Sequence, residues 1–95
     1  MADRKVRVLV GDDHPLYRDG VVRALASSGR TEVVCEVGDG TAALAGIREH
    51  QPDVALLDYH MPGIDGMELL KRIKASRATL PVIIMTGHGD IPLAV

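Results

Sequence analysis

Phenylalanine and tryptophan are absent from this sequence, and tyrosine occurs only twice. A packed core must therefore be built from aliphatic side chains and methionine. The single cysteine, Cys35, excludes an internal disulfide and a cysteine-based zinc site, and its place in the apolar residues 33–37 favours a buried strand thiol. No apolar stretch is long enough to span a bilayer. Residues 1–5 lead directly into a strand without a signal-peptide core, which favours a cytoplasmic protein without membrane contact.

An excess of positive charge is also missing. Eleven Lys and Arg residues face thirteen Asp and Glu residues, for a net charge of -2. Without a basic stripe to neutralise phosphates, direct nucleic-acid contact by this segment is not expected. The 95 residues allow one domain, and 46% hydrophobic with 25% charged residues is ordinary for a globular protein.

Strand and helix patterns alternate along the chain. Apolar runs predict strands at residues 5–10, 32–37, 53–58 and 81–85, and helical periodicity predicts helices at residues 14–27, 41–50 and 65–76, with a further helix beginning at residues 91–95. This alternation predicts an α/β protein with a parallel sheet, in which the third and fourth strands are covered on both faces.

The helical spacing also predicts which side chains face the core. In the first helix these are Tyr17, Val21, Ala24 and Leu25, and in the third they are Met67, Leu70 and Ile73. Three aspartates lie next to glycines and are interpreted as turn or cap residues: Asp39, Asp65 and Asp90.

Polar side chains follow three of the apolar runs. Asp12 and Asp13 come after the first strand, Asp58 ends the third, and Thr86 follows the fourth. A sheet with strand order 2-1-3-4 would gather these residues at one edge, where open parallel sheets bind ligands. A single aspartate at a strand end is usually a cap or a turn residue, but this combination is not readily produced by chance. The pattern predicts a phosphoryl-acceptor site.

Three neighbouring carboxylates need a cation. Two carboxylates about 4 Å apart repel by about 4 kcal/mol at an effective dielectric constant near 20. Three can stay ionised only around a cation, unless one takes a proton. Oxygen ligands favour Mg²⁺ or Mn²⁺ over zinc. A flavin or dinucleotide site is not expected, because two negative charges at the first turn would repel phosphate. With Mg²⁺, Asp58 is a plausible nucleophile, and Thr86 could hydrogen-bond a phosphoryl oxygen.

Three segments carry a family resemblance. Residues 11–20 (GDDHPLYRDG) resemble the opening of receivers attached to LuxR-type DNA-binding domains, residues 58–66 (DYHMPGIDG) resemble the segment around a phosphorylated aspartate, and residues 85–90 (MTGHGD) resemble a switch-threonine segment. Over essentially all 95 residues the chain resembles the receiver domain of a bacterial two-component response regulator. The resemblance implies a flavodoxin-like (CheY-like) fold, a doubly wound parallel sheet.

The resemblance assigns roles to individual residues. It implies that Asp58 is the phosphoacceptor for a histidine kinase and that Thr86 is the switch hydroxyl. It implies direct Mg²⁺ ligation by Asp13, Asp58 and the backbone carbonyl of His60, with Asp12 acting mostly through water. His14 and His60 are interpreted as rim residues that tune access; the alternative, a phosphohistidine or zinc role, lacks a clear metal spacing.

The resemblance breaks near the end of the sequence. Receivers have five strands and five helices, so residues 1–95 are expected to be an incomplete receiver, truncated after the fourth strand, without the family's lysine and switch aromatic. An open fourth strand and an uncovered sheet face predict a homo-oligomer or a domain-swapped dimer. Residues 85–95 look more like receivers of nitrogen-fixation regulators. An engineered recombinant, a truncated chain and a natural regulator with mixed features all fit this pattern.

The sequence thus predicts a Mg²⁺-dependent phosphoacceptor of a transcriptional regulator, with self-phosphorylation and autodephosphorylation chemistry rather than enzyme turnover. The alternative is a truncated or engineered receiver fragment that acts only as a self-associating structural module. A Mg²⁺-dependent phosphatase is a weaker alternative, because His60 occupies the position where such an enzyme would have a second aspartate.

Overall fold

The computed structural model describes residues 4–85 and the backbone of residues 93–94. Its elements, in chain order, are β1 (Val6–Gly11), α1 (Pro15–Ser27), β2 (Thr31–Val37), α2 (Gly40–His50), β3 (Val54–Asp58), α3 (Gly66–Ser76), β4 (Val82–Met85) and β5 (Leu93–Ala94). The strands and helices predicted within residues 5–85 are all present, and their bounds differ from the prediction by at most one residue at either end.

The described strands form one sheet in the order β2-β1-β3-β4-β5. β1 pairs in parallel with both β2 and β3, and β3 pairs in parallel with β4. This arrangement confirms the predicted flavodoxin-like parallel sheet with strand order 2-1-3-4. It also places the carboxyl ends of β1 and β3 next to each other.

The helix expected at residues 91–95 is wrong for Leu93 and Ala94, which form β5. They pair antiparallel with β4, Leu93 opposite Ile84 and Ala94 opposite Ile83. A segment this short cannot hold a helix by itself, whereas the edge of β4 offers unpaired backbone groups. β5 therefore covers part of the strand edge that was expected to be open. Residues 91, 92 and 95 lie outside the described residues.

The main core lies between the sheet and the two helices α2 and α3. Side chains alternate along each strand, so Leu9, Ala55 and Val82 face these helices. Buried residues from the helices complete this layer: Ala43, Ile47, Leu69, Leu70 and Ile73. Met67, predicted to face inward, is exposed instead, and Leu69 takes the buried position.

The opposite face of the sheet is covered less completely. Val8 and Val10 are buried on this side, where α1 packs on β1 and β2. α1 itself contains no fully buried residue. The prediction that Tyr17 and Ala24 face the core is wrong, since both are exposed. A helix that packs only on the sheet covers a narrow line of its own surface, and side chains to either side of that line stay in solvent.

The first turns of α2 and α3 are held by aspartate caps, as predicted for these residues. Asp39 accepts a hydrogen bond from the Ala42 backbone N–H at 2.7 Å, and Asp65 accepts one from Met67 at 3.1 Å. Between them, the Gly40 N–H donates to the Pro62 carbonyl at 3.2 Å. These bonds fix the loop that follows β3. Asp90 lies outside the described residues.

Cys35 lies half-buried in β2, where a strand thiol was predicted. Burial raises the pKa of this thiol, and the nearby Glu49 and Glu36 carboxylates raise it further. Such a thiol stays protonated and unreactive at neutral pH. Among the residues described, no helix has both the length and the apolar character needed to cross a membrane.

Candidate functional site

Two buried aspartates lie at the carboxyl ends of the neighbouring strands β1 and β3. In the register of this pair Gly11 is opposite Leu57, so Asp12 and Asp58 each follow directly at the edge of the sheet. Backbone bonds hold both positions, from the Asp12 N–H to the Val37 carbonyl at 3.0 Å and from the Tyr59 N–H to the Met85 carbonyl at 2.7 Å. The parallel pairing therefore brings these two carboxylates together.

A backbone amide two residues further on orients each buried carboxylate. The His14 N–H donates to Asp12 Oδ1 at 2.9 Å, and the His60 N–H donates to Asp58 Oδ1 at 3.2 Å. In Asp12 the other oxygen, Oδ2, is buried and has no hydrogen-bond partner. A buried carboxylate oxygen without a donor is costly, so Asp12 Oδ2 is suited to a cation.

Asp13 and His14 complete a cluster around these carboxylates. One ligand atom from each of Asp12, Asp13, His14 and Asp58 lies within 4.8 Å of all the others. His14 Nδ1 is 2.8 Å from Asp13 Oδ1 and 3.4 Å from Asp12 Oδ1. The two buried aspartates form the floor of the cluster, and the partly exposed Asp13 and His14 form its rim.

The structure thus gathers three of the residues that the sequence placed at this edge: Asp12, Asp13 and Asp58. Their roles as ligands and phosphoacceptor stay predictions. His60 lies next to Asp58 with an exposed ring in edge-to-face contact with Tyr59, at 5.0 Å between centroids. Metal ligation by its carbonyl stays a prediction, and Thr86 lies outside the described residues.

Arg18 was not singled out from the sequence, yet it supports the cluster. Its guanidinium Nη1 donates to the backbone carbonyl of Asp12 at 2.8 Å and lies 3.4 Å from that of Val37, and its Nε lies 3.6 Å from a Glu36 carboxylate oxygen. Arg18 therefore ties α1 to the ends of β1 and β2. The available signal was an arginine one turn into the helix that follows the acidic pair.

Gly11 also has a structural role at the site, and the sequence did not reveal it. A Cβ at this position would lie 2.8 Å from Leu57 Cδ2 and 3.3 Å from the Met61 side chain. The glycine thus lets the loop after β3 pack its buried Met61 directly against the end of β1. This contact lies directly beside the two acidic strand ends.

The arrangement fits a hard divalent cation. Three carboxylates lie in a small volume, which is unfavourable without a compensating charge. Their oxygens form the donor set that Mg²⁺ prefers, and they include Asp12 Oδ2, which has no hydrogen-bond partner. Since the protein supplies only part of an octahedral shell, the remaining positions would be left to water and substrate oxygens.

Comparisons with known proteins agree with this geometry. The family model described as the response regulator receiver domain matches residues 8–95. The transcriptional regulatory protein NarL of Mycobacterium tuberculosis is 52% identical over 86 residues, covering 90% of this chain and 40% of NarL. The DNA-binding transcriptional regulator NtrC of Salmonella typhimurium is 47% identical over 88 residues, covering 93% of this chain and 18% of NtrC.

Solved structures give the same result. The signal receiver domain of NarL from Mycobacterium tuberculosis superimposes with a TM-score of 0.84 at 52% identity, covering 92% of this chain and 70% of that one. A LuxR-family two-component response regulator from Aurantimonas has a TM-score of 0.83 at 30% identity, covering 90% and 61%. The chain therefore spans less than half the length of the curated relatives named here.

Proposed function

Because this chain belongs to the response regulator receiver domain family, we propose that it is a phosphoacceptor that takes a phosphoryl group from a histidine kinase onto Asp58. One observation carries the proposal. Asp58 ends β3 inside a cluster with Asp12 and Asp13, in which the candidate nucleophile and the candidate cation ligands lie within 4.8 Å of one another.

The chemistry needs few groups from the protein. An Asp58 carboxylate oxygen attacks the phosphorus, a new P–O bond forms an acyl phosphate, and the bond from phosphorus to the donor's nitrogen or oxygen breaks. The His60 N–H donates to Asp58 Oδ1 and so orients the carboxylate at the end of β3. Mg²⁺, held by Asp12, Asp13, Asp58 and the His60 carbonyl, would neutralise charge on the transferred group. The group stays on the protein, so this is an acceptor and not an enzyme in the usual sense.

The wider setting is also part of the proposal. Met85 is opposite Asp58 in the β3–β4 register, and we propose Thr86, the next residue in the sequence, as the switch hydroxyl. The NarL and NtrC relatives are named as transcriptional regulators. We therefore propose that phosphorylation regulates transcription and that the protein acts in the cytoplasm. This segment itself would make no contact with nucleic acid.

The test is intact mass after incubation with acetyl phosphate. We expect a Mg²⁺-dependent gain of one phosphoryl group, because Asp58 supplies the nucleophile and the cluster supplies the ion site. The gain should vanish in Asp58→Asn and persist in Asp19→Asn, a matched control on the surface of α1, where Asp19 pairs with Arg23. An unmodified wild-type chain with a folded circular dichroism spectrum would contradict the proposal.

A second candidate, self-association, is favoured by the sheet face that α1 leaves uncovered. Leu56 and Ile83 are paired in the β3–β4 register and share this face. Ile83 is 39% exposed and Val6 is 44% exposed, while Leu56 is only half-buried. Apolar side chains left partly exposed on one sheet face, here called the strip, are typical of a surface that contacts another protein. We propose that a second copy of this chain covers it.

Sedimentation velocity over a range of concentrations tests this second candidate. The mass should rise with concentration in the wild type, and Ile83→Ser should weaken the association because it removes apolar area from the strip. Leu16→Ser is the matched control, since Leu16 is exposed on α1 and outside the strip. A monomer mass that does not depend on concentration would rule out this interface.

A further inference from the structure

His14 gives the acidic cluster a nitrogen donor. Its Nδ1 is one of the four candidate ligand atoms, and it faces the carboxylates of Asp12 and Asp13. Two ligands at right angles, each about 2.1 Å from one metal ion, lie about 3 Å apart. The distances of 2.8 Å to Asp13 Oδ1 and 3.4 Å to Asp12 Oδ1 are close to that separation.

A second observation shows that the cluster can accept an ion. Asp12 is fully buried, its Oδ1 is taken by the His14 N–H, and its Oδ2 has no hydrogen-bond partner. The same residue, His14, thus orients Asp12 through its backbone and contributes an imidazole through its side chain. Because that side chain is half exposed, an ion from solvent can reach Nδ1 without a rearrangement of the core.

We propose that the cluster is a mixed oxygen–nitrogen metal site, in which His14 Nδ1 joins Asp12, Asp13 and Asp58 to bind imidazole-preferring divalent ions such as Zn²⁺ and Ni²⁺. Imidazole suits these ions, whereas Mg²⁺ is satisfied by oxygen ligands and gains little from nitrogen. The ions would use the same carboxylates as Mg²⁺ and compete with it. The proposal rests on the proposed function, because that function places Mg²⁺ on these carboxylates.

Calorimetric titrations of the folded chain with Zn²⁺, Ni²⁺ and Mg²⁺ test this proposal, each in wild type, His14→Gln and His50→Gln. Loss of a group that only supports a metal ligand already lowers affinity by about 10- to 100-fold, so loss of the ligand itself in His14→Gln should weaken Zn²⁺ and Ni²⁺ binding by at least about tenfold. Mg²⁺ affinity should change by no more than about twofold, since oxygen ligands dominate it. His50→Gln, at a histidine in the last turn of α2 and outside the cluster, should change none of the three.

Nitrogen-15 NMR gives a readout that a merely structural role would not produce. Zn²⁺ should shift the Nδ1 resonance of His14 and leave that of His50 unchanged. Equal Zn²⁺ and Ni²⁺ affinities in wild type and His14→Gln, with Mg²⁺ still bound, would overturn the nitrogen ligand and leave the proposed function intact. Equal losses for all three ions would also overturn it, because they would mean that His14 only supports the fold. A wild type that binds no Mg²⁺ would contradict the proposed function itself.

Discussion

Leu69→Ala is expected to lower the free energy of unfolding by about 2–5 kcal/mol, a large share of the roughly 5–15 kcal/mol that is typical of a folded domain. Leu69 is 1% exposed and lies in α3, where it packs into the main core against the sheet. The core contains no phenylalanine or tryptophan, so each aliphatic side chain accounts for a large share of its volume.

Leu16→Ala provides the matched control. Leu16 also lies in a helix, α1, but is 90% exposed. The same change of side chain should therefore alter stability by less than about 0.5 kcal/mol. Urea unfolding followed by circular dichroism measures both variants. Equal stabilities of the two variants would mean that α3 does not pack on the sheet as described.

Asp12→Asn is expected to be more stable than wild type without Mg²⁺ and less stable than wild type with it. In a chelating buffer the variant should be more stable than wild type by about 1–3 kcal/mol, because one of three crowded negative charges is removed. Asparagine keeps the Oδ1 acceptor that the His14 N–H uses. Its amide takes the place of the buried Oδ2 and can donate to a neighbouring carboxylate.

With excess Mg²⁺ the order should invert. An ion present at about one thousand times its dissociation constant stabilises the native wild type by about 4.1 kcal/mol, whereas the variant has lost a ligand and gains little. Thermal melts of both proteins in chelator and in Mg²⁺ measure the crossing. Asp19→Asn, outside the cluster, should follow wild type in both buffers. A wild type that is more stable than Asp12→Asn in chelator would show that the carboxylates do not repel one another.

The sheet and the acidic cluster could be predicted because they depend on local patterns. Apolar runs that end in aspartate define both the strands and the places where their ends converge, and β3 fits only a central position in the sheet. Parallel pairing then brings Asp12 and Asp58 together whatever the details of packing. The prediction that these two residues lie together needed no information on side-chain contacts.

Features that depend on what lies opposite a residue were not predictable. Helical periodicity did not decide whether Met67 or Leu69 is the buried residue. Only the position of α3 on the sheet buries Leu69. Tyr17 carries an apolar ring, yet its side chain stays exposed. Leu93 and Ala94 form a strand because the edge of β4 is available. The sequence of a short segment does not reveal such a long-range pairing partner.

Arg18 and His14 show the same limit at the site. Their sequence positions in the first turns of α1 are ordinary, and their significance comes from where α1 lies relative to β1. Arg18 reaches the Asp12 carbonyl only because the helix packs over the end of the strand. The His14 imidazole meets two carboxylates for the same reason.

The unequal covering of the two sheet faces bears on how the molecule opens. Amide protons of α1 should exchange with solvent by local opening at a lower free energy than those of β1 and β3, because α1 has no fully buried residue to hold it down. When α1 detaches, His14 leaves the acidic strand ends and Arg18 releases the Asp12 carbonyl. An ion bound at the cluster would oppose this opening, so occupancy of the site and hydrogen-exchange protection of α1 are thermodynamically linked.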